Sequence, residues 1–326
     1  MIVDIHAHFV PQKLLDTLVS GRASFPHVEL LHEGDTFKLG FAGGPLTRPV
    51  NPKLREAEGR HAWMTEAGID MQVTGGWLDA FGYELAPEEG AAWSRFLNEH
   101  LFGACHGDAG FAPLATVPLQ NGKLAAEVLR ESLAAGFAGA MIGTQPKGSD
   151  GNLDDPDLDP FWEAASELGA TIYLHPMFGC GDPRLLDYGM INAVGRGVDT
   201  TTAIARMLFS GHFTRYAGMT MILSHGGGAL PYMLGRLRRN HAIHPDYADP
   251  KAEFDKLYFD SVLFEPTALR FLCETVGAAR VMLGSDYPFP IGDLAPCKVV
   301  HDAGLSEIET KAILGDTAAR LFRLEG

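Results

Sequence analysis

Histidine recurs in this chain where a metal could use it. The stretch "DIHAH" near the N-terminus sets His6 and His8 one residue apart. Residues two apart on a strand share a face, so these imidazoles project together. Paired imidazoles suit a divalent metal, although an isolated His-x-His also arises by chance. Three more stretches extend the pattern: His175 in "LHP", His225 in "SHGGG" and Asp286 in "GSDYPFP". Each closes a short apolar run that reads as a strand. Histidines that only fill a core have no reason to collect at one end of several strands. His6, His8, His175 and Asp286 form an N/O donor set suited to one divalent metal, Zn(II) first, with Mn(II), Fe(II) or Co(II) acceptable. Neutral imidazole is the binding form, so acid should weaken the site. His225 has two readings: a further nitrogen ligand, or a titratable group that handles protons beside the metal. The glycines Gly226, Gly227 and Gly228 either admit close approach of a ligand to the backbone or simply form a tight turn.

Elements that would position these residues follow a regular alternation. Strands are expected at 2–6, 71–75, 111–117, 137–143, 171–175, 219–225, 257–261 and 280–286. The runs are apolar and seldom alternate, as in parallel strands buried on both faces. Helical patterns separate most of them. "GKLAAEVLRESLAAG" ends at a glycine, "DPDLDPFWEAASELGA" opens on Asp and Pro, and Ser306-x-x-Glu309 has the form of a capping box. Eight such repeats predict an α/β fold, a (β/α)8 TIM barrel occupying 1–326 as one domain. An open doubly wound sheet is the alternative, but no Gly-x-Gly-x-x-Gly follows the first strand. Residues 10–55 break the rhythm. There "VELL" and "TFKLGF" flank Glu33-Gly34-Asp35, which predicts a hairpin. The segment reads as a small insertion between the first strand and its helix, over the C-terminal mouth of the barrel.

Composition narrows the function. The formal charge of −15 argues against a nucleic-acid footprint, and an anionic substrate would need arginines placed locally against that field. Cys105, Cys180, Cys273 and Cys297 form no C-x-x-C pair, which leaves scattered reduced thiols as the expectation. The N-terminus lacks a signal-peptide pattern, and no apolar run approaches the ~18 residues of a membrane span. A cytoplasmic enzyme without a membrane partner is expected.

The ordered set "DIHAHFVP", "LHP", "SHGGG" and "GSDYPFP" resembles the amidohydrolase superfamily. "VPLQ", "LSHGGGALPYMLGR" and "FDSVLFEPTALRFL" carry the likeness nearly end to end. More narrowly, the chain resembles the metal-dependent non-oxidative decarboxylases, α-amino-β-carboxymuconate-ε-semialdehyde decarboxylase in particular. The binuclear hydrolases of the superfamily place a carbamylated lysine at the end of strand four. Here that end reads "MIGTQPKG", with Lys147 beyond the strand, which implies a single metal. Mononuclear deaminases carry a glutamate soon after the strand-five histidine, and here Pro176, Met177 and Phe178 follow His175.

The resemblance implies that His6, His8, His175 and Asp286 bind the metal and that His225 is the general acid/base, with Asp286 also counted in the catalytic set. It implies that Arg48, in "LTRPV", binds a substrate carboxylate. Arg236, in "LGR", would reach the active site of the neighbouring subunit in a homodimer. Taken alone, Arg48 reads as a solvated hairpin residue and Arg236 as a helix-surface charge beside Arg238 and Arg239. Phe289, in "YPFP", and Tyr83, in "FGY", could border a flat conjugated substrate, although core packing is the commoner role of such rings. The segment around Tyr188 departs from the family's pattern where it places a pocket tryptophan, which leaves the substrate open.

The expected function is therefore O2-independent decarboxylation of an unsaturated or aromatic carboxylic acid, such as a carboxymuconate semialdehyde. A metal-dependent C–C bond hydrolase or hydratase acting on a ring-cleavage product would use the same centre. A non-catalytic barrel that binds a metal or an aromatic acid is a third reading, and it leaves the acid/base residue without a task.

Overall fold

The computed structural model describes residues 1–148, 151–177 and 181–324. Eight parallel strands follow one another around a sheet: β1 (Val3–His8), β4 (Met71–Gly75), β5 (Phe111–Ala115), β6 (Gly139–Gly143), β7 (Thr171–His175), β8 (Thr220–Leu223), β9 (Tyr258–Asp260) and β10 (Val281–Met282). Every neighbouring pair in that order is parallel, with helices in the connections. This is the (β/α)8 barrel expected from the strand pattern.

Closure between the last strand and the first relies on irregular backbone. β10 spans only Val281–Met282. Beyond it, Ile5 donates its N–H to Leu283, His8 donates to Tyr287, and Asp286 donates back to the His6 carbonyl at 2.8 Å. The segment carrying Asp286 is thereby bonded to the strand carrying His6 and His8.

The strand interiors are apolar because both faces are covered. Ile5, Val73, Leu114, Ile142, Leu174, Ile222 and Phe259 are all fully buried. The helices start and stop where the sequence says they should. Asn121 accepts from Lys123 and Leu124 at the start of helix 122–135, and Gly136 ends it with a φ of 106°. Ser306 and Glu309 form the reciprocal capping box. The helical run that this box opens departs from a regular α-helix at 312–316, where a π turn intervenes.

The predicted hairpin is present as β2 (Val28–Glu33) and β3 (Thr36–Phe41), paired antiparallel across Gly34-Asp35. It does not follow β1 directly, because a short helix, Gln12–Val19, comes first. Phe37, Leu39 and Phe41 of the hairpin share a second, smaller apolar cluster with Trp77, Trp93 and Phe96.

Among the described residues, no helix is long and apolar enough to cross a membrane. Cys105, Cys273 and Cys297 are free thiols. Cys180 and Phe178 lie outside the described residues.

Candidate metal centre

The expected ligands converge. One atom each from His6, His175, His225 and Asp286 lies within 4.8 Å of all the others. His8 is beside them: its Nε2 is 3.3 Å from Asp286 Oδ1, the same oxygen that His6 Nε2 approaches at 3.3 Å. Distance alone would therefore exchange His225 for the expected His8.

Hydrogen bonding separates the two. His6 Nδ1 lies 2.7 Å from Asp260 Oδ2. His8 Nδ1 lies 2.9 Å from the Gly76 carbonyl, and His175 Nδ1 lies 2.7 Å from the Pro176 carbonyl. A carbonyl only accepts, so in His8 and His175 the proton sits on Nδ1. The Nε2 lone pair then faces the centre. His225 has no such anchor. Its Nδ1 is buried without a partner, and its Nε2 stands 3.6 Å from Asp286 Oδ2.

Several buried acceptors thus face one another. Nε2 of His6, Nε2 of His8 and Asp286 Oδ1 are all buried without a hydrogen-bond partner. The His8 Nε2 lone pair faces Asp286 Oδ1, which is unfavourable unless a cation, a metal ion or the proton that His6 holds without one, sits among them. The residues present fit a divalent cation with mixed N/O ligation.

The electrostatics agree. Burial opposes a charge on His6, but Asp286 and Asp260 outweigh it and raise its pKa to about 10. Burial holds His8 low, and it holds His175 well below the usual range, with the neighbouring histidines adding to the effect. Burial alone would raise Asp286, yet His6, His225 and His8 keep its carboxyl well below the usual range. Three of the expected ligands, His8, His175 and Asp286, are therefore already in the form that binds metal.

Local backbone explains how residues past the strands reach the centre. β8 ends at Leu223 and β10 at Met282, so neither His225 nor Asp286 is a strand residue. Each has a positive φ, 52° and 60°, which non-glycine residues seldom adopt. After His225 the glycines continue the tight turn. A Cβ on Gly226 would meet Leu263 at 2.6 Å, and one on Gly228 would meet the Gly197 carbonyl at 2.4 Å. Close packing inside the turn is thus enough to require these glycines.

Above the centre opens a cavity of about 650 Å³ whose wall includes His8, His175, His225 and Asp286. Phe289 also lines it, 5.1 Å from the His8 ring. Arg48 reaches the wall, but its guanidinium is already bonded twice to Asp79, at 3.1 Å and 3.1 Å. Tyr83 does not line the cavity, contrary to expectation. It is 2% exposed in the core, and its hydroxyl accepts from the Gly143 N–H. Core packing, the commoner role of such a ring, is what the structure gives it. Arg236 is exposed on helix 230–243 and lies outside this cavity. Tyr188 is 97% exposed and also lies outside it. Lys147 is turned to Asp157, away from the centre.

Sequence reasoning missed Asp260, Tyr173 and Arg196. Tyr173 donates its hydroxyl to Asp260 Oδ2 at 2.8 Å, so it braces the carboxylate that anchors His6. Asp260 lies one residue before the end of the predicted strand 257–261 and closes the observed β9, and that position near a strand end was the available signal. Arg196 lines the cavity from the helix after the 181–195 segment, and no spacing marked it.

An amidohydrolase family profile matches residues 3–324. The chain belongs to the amidohydrolase family. Within it, the 2-amino-3-carboxymuconate-6-semialdehyde decarboxylase of Dictyostelium discoideum is 29% identical over 332 residues, covering 99% of this chain and 92% of that protein. The crystal structure of 5-carboxyvanillate decarboxylase from Sphingomonas paucimobilis shares the fold at a TM-score of 0.82, with 24% identity and 99% of each chain covered. The dihydroxybenzoic acid decarboxylase from Polaromonas sp. JS666, solved with bound manganese and 2-nitroresorcinol, superposes at a TM-score of 0.79. It is 22% identical, over 99% of this chain and 97% of that one. Each of these three relatives is named as a decarboxylase.

Proposed function

We propose that this amidohydrolase is a metal-dependent, non-oxidative decarboxylase of an aromatic or conjugated carboxylic acid. The observation that carries the proposal is the set of anchored histidines whose free nitrogens meet Asp286 at the floor of the cavity. Similarity to a named decarboxylase across 99% of the chain supports the reaction class.

In this reading His6, His8, His175 and Asp286 hold one divalent cation, Zn(II) or Mn(II). When bound, the cation supplies positive charge that polarises a substrate oxygen and stabilises the carbanion-like transition state. Phe289 and Trp77 line the cavity with flat apolar surface that fits a ring and excludes water. The C–C bond to the carboxylate breaks and leaves its electron pair on the ring carbon. His225 delivers a proton to that carbon from the edge of its ring. The balance is one carboxylate and one proton in, one CO2 and one C–H product out. No oxidant is required.

The account of residues 10–55 as an insertion over the mouth is supported by Arg48, which comes from that segment and lines the cavity. A homodimer in which Arg236 serves the neighbouring cavity is supported by its exposure here, next to Tyr232, which is 84% exposed.

The test is CO2 release by metal-stripped protein before and after Mn(II) or Zn(II) is restored. 2,6-Dihydroxybenzoate, 5-carboxyvanillate and 2-amino-3-carboxymuconate 6-semialdehyde are offered separately. Release that depends on added metal for at least one acid is expected. No release from any of them would overturn the proposal.

A further inference from the structure

Two guanidinium groups line the cavity, and they are held differently. Arg48 is paired with Asp79 through two nitrogens, and its side chain is 52% exposed. Its charge is already matched. Arg196 donates Nε to Asn192 Oδ1 at 2.8 Å and Nη1 to the carbonyls of Pro176 and Met177, at 3.0 Å and 2.6 Å. Those three acceptors are neutral. Among the described residues no carboxylate forms an ion pair with Arg196, and no hydrogen bond uses its Nη2.

An arginine side chain remains charged at any ordinary pH. Carbonyl oxygens orient the group without neutralising it. The guanidinium therefore keeps its charge, offset only at longer range by Asp79, Asp286 and Asp199, and its Nη2 is left for an anion that would compensate it directly. The rest of the chain opposes anions, with a formal charge of −15, so a local cation is needed to admit one. Arg196 is also fixed relative to the centre. The Pro176 carbonyl that accepts from it faces His175 Nδ1 at 2.7 Å, so both groups hold the same oxygen.

We propose that Arg196 is the anion anchor of this cavity, its Nη2 taking a second anionic group on the substrate, a carboxylate or phenolate, besides the carboxylate lost as CO2. The proposal rests on the decarboxylase reading for the fate of that first carboxylate. It assigns to Arg196 the task that the resemblance gave to Arg48, and it makes the substrate class an acid with two anionic groups.

Benzoate and isophthalate differ by one carboxylate and serve as probes. Their affinities are measured by calorimetry on Mn(II)-loaded wild type, Arg196→Met and Arg48→Met, with metal content recorded for each. Wild type should bind isophthalate about tenfold or more tightly than benzoate, the size of one charge-assisted contact. Arg196→Met should bring the ratio within about twofold while holding its metal, and Arg48→Met should keep the wild-type ratio. A merely bracing role for Arg196 would weaken both ligands together and leave the ratio intact, which overturns the proposal. So does a wild type without preference, or a preference lost in Arg48→Met alone. If Arg196→Met does not fold or loses metal, the wild-type and Arg48→Met ratios still decide. Failure of wild type to release CO2 from any acid would defeat the decarboxylase reading and leave these ratios untouched.

Discussion

His6 and Asp260 meet at 2.7 Å on the edge of the imidazole turned away from the metal centre. Asp260 is fully buried and also accepts from Tyr173, Gly226 and Val262. One carboxylate therefore orients a proposed ligand, receives a phenol from β7 and pins the turn that carries His225. A carboxylate behind a histidine fixes its orientation and raises its basicity.

Asp260→Asn keeps the size of the side chain and removes the charge. Metal affinity should fall about 10- to 100-fold, read by competition with a chelator. Tyr173→Phe should act in the same direction and more weakly, since it removes one of the bonds that hold the carboxylate. Unchanged affinity in Asp260→Asn would show that the bond does not support the ligand.

His225 differs from His6, His8 and His175 in lacking an anchor on its second nitrogen. His225→Gln should hold metal at the wild-type stoichiometry while turnover falls by about 10²- to 10⁴-fold. Metal analysis and rate together separate the two roles. Loss of the metal itself would make His225 a ligand, as its distance to the group permits.

Metal uptake should release a proton. Without metal, His6 carries a pKa raised to about 10, while burial keeps His175 neutral. Binding at neutral pH must then displace the His6 proton, about one per metal. Calorimetry in buffers of different ionisation enthalpy counts it, and a count near zero contradicts the assignment. The same shift sets the alkaline stability of metal-free protein. The folded value lies above 6.5, so its stabilising contribution is complete below about pH 6.5 and disappears as pH rises through about 10. Metal-loaded protein should lack that alkaline loss.

Away from the centre, His212 packs edge-on against Trp162, and its Nε2 is buried without a partner. Burial lowers its pKa to about 4, and the charge of Arg215 adds to the effect. The unfolded chain takes up this proton near pH 6.5 and the folded chain refuses it until about pH 4. Stability is therefore lost as pH falls between those values, on the order of 3 kcal/mol. His212→Phe should gain on wild type in urea denaturation at pH 5 relative to pH 7. An equal difference at both pH values would contradict this.

The barrel was legible because buried parallel strands leave short apolar runs, and TIYLH coincides with β7 residue for residue. The convergence of His6, His8, His175, His225 and Asp286 was legible because ligands at strand ends share one face of a barrel. Closure was harder to read. "RVMLGSD" was expected as a strand to 286, yet the regular pairing stops at Met282 and positive φ turns Asp286 inward. Tyr83 and Arg196 show the limit from opposite sides. An aromatic expected to border the substrate packs in the core, and an arginine at a helix start came to line the cavity. Pattern gives the face of a regular element and says nothing about where an irregular segment packs.

The central claim is that the C–C bond to a carboxylate breaks and is replaced by C–H without oxygen chemistry. The most direct measurement is turnover of the accepted acid in deuterated, ¹⁸O-labelled water under anaerobic conditions, with CO2 and product analysed together. The account predicts equal amounts of CO2 and product, one solvent deuterium at the vacated carbon and no solvent oxygen in the organic product. A product that retains ¹⁸O, or one formed without CO2, would mean hydrolysis or hydration and would contradict it.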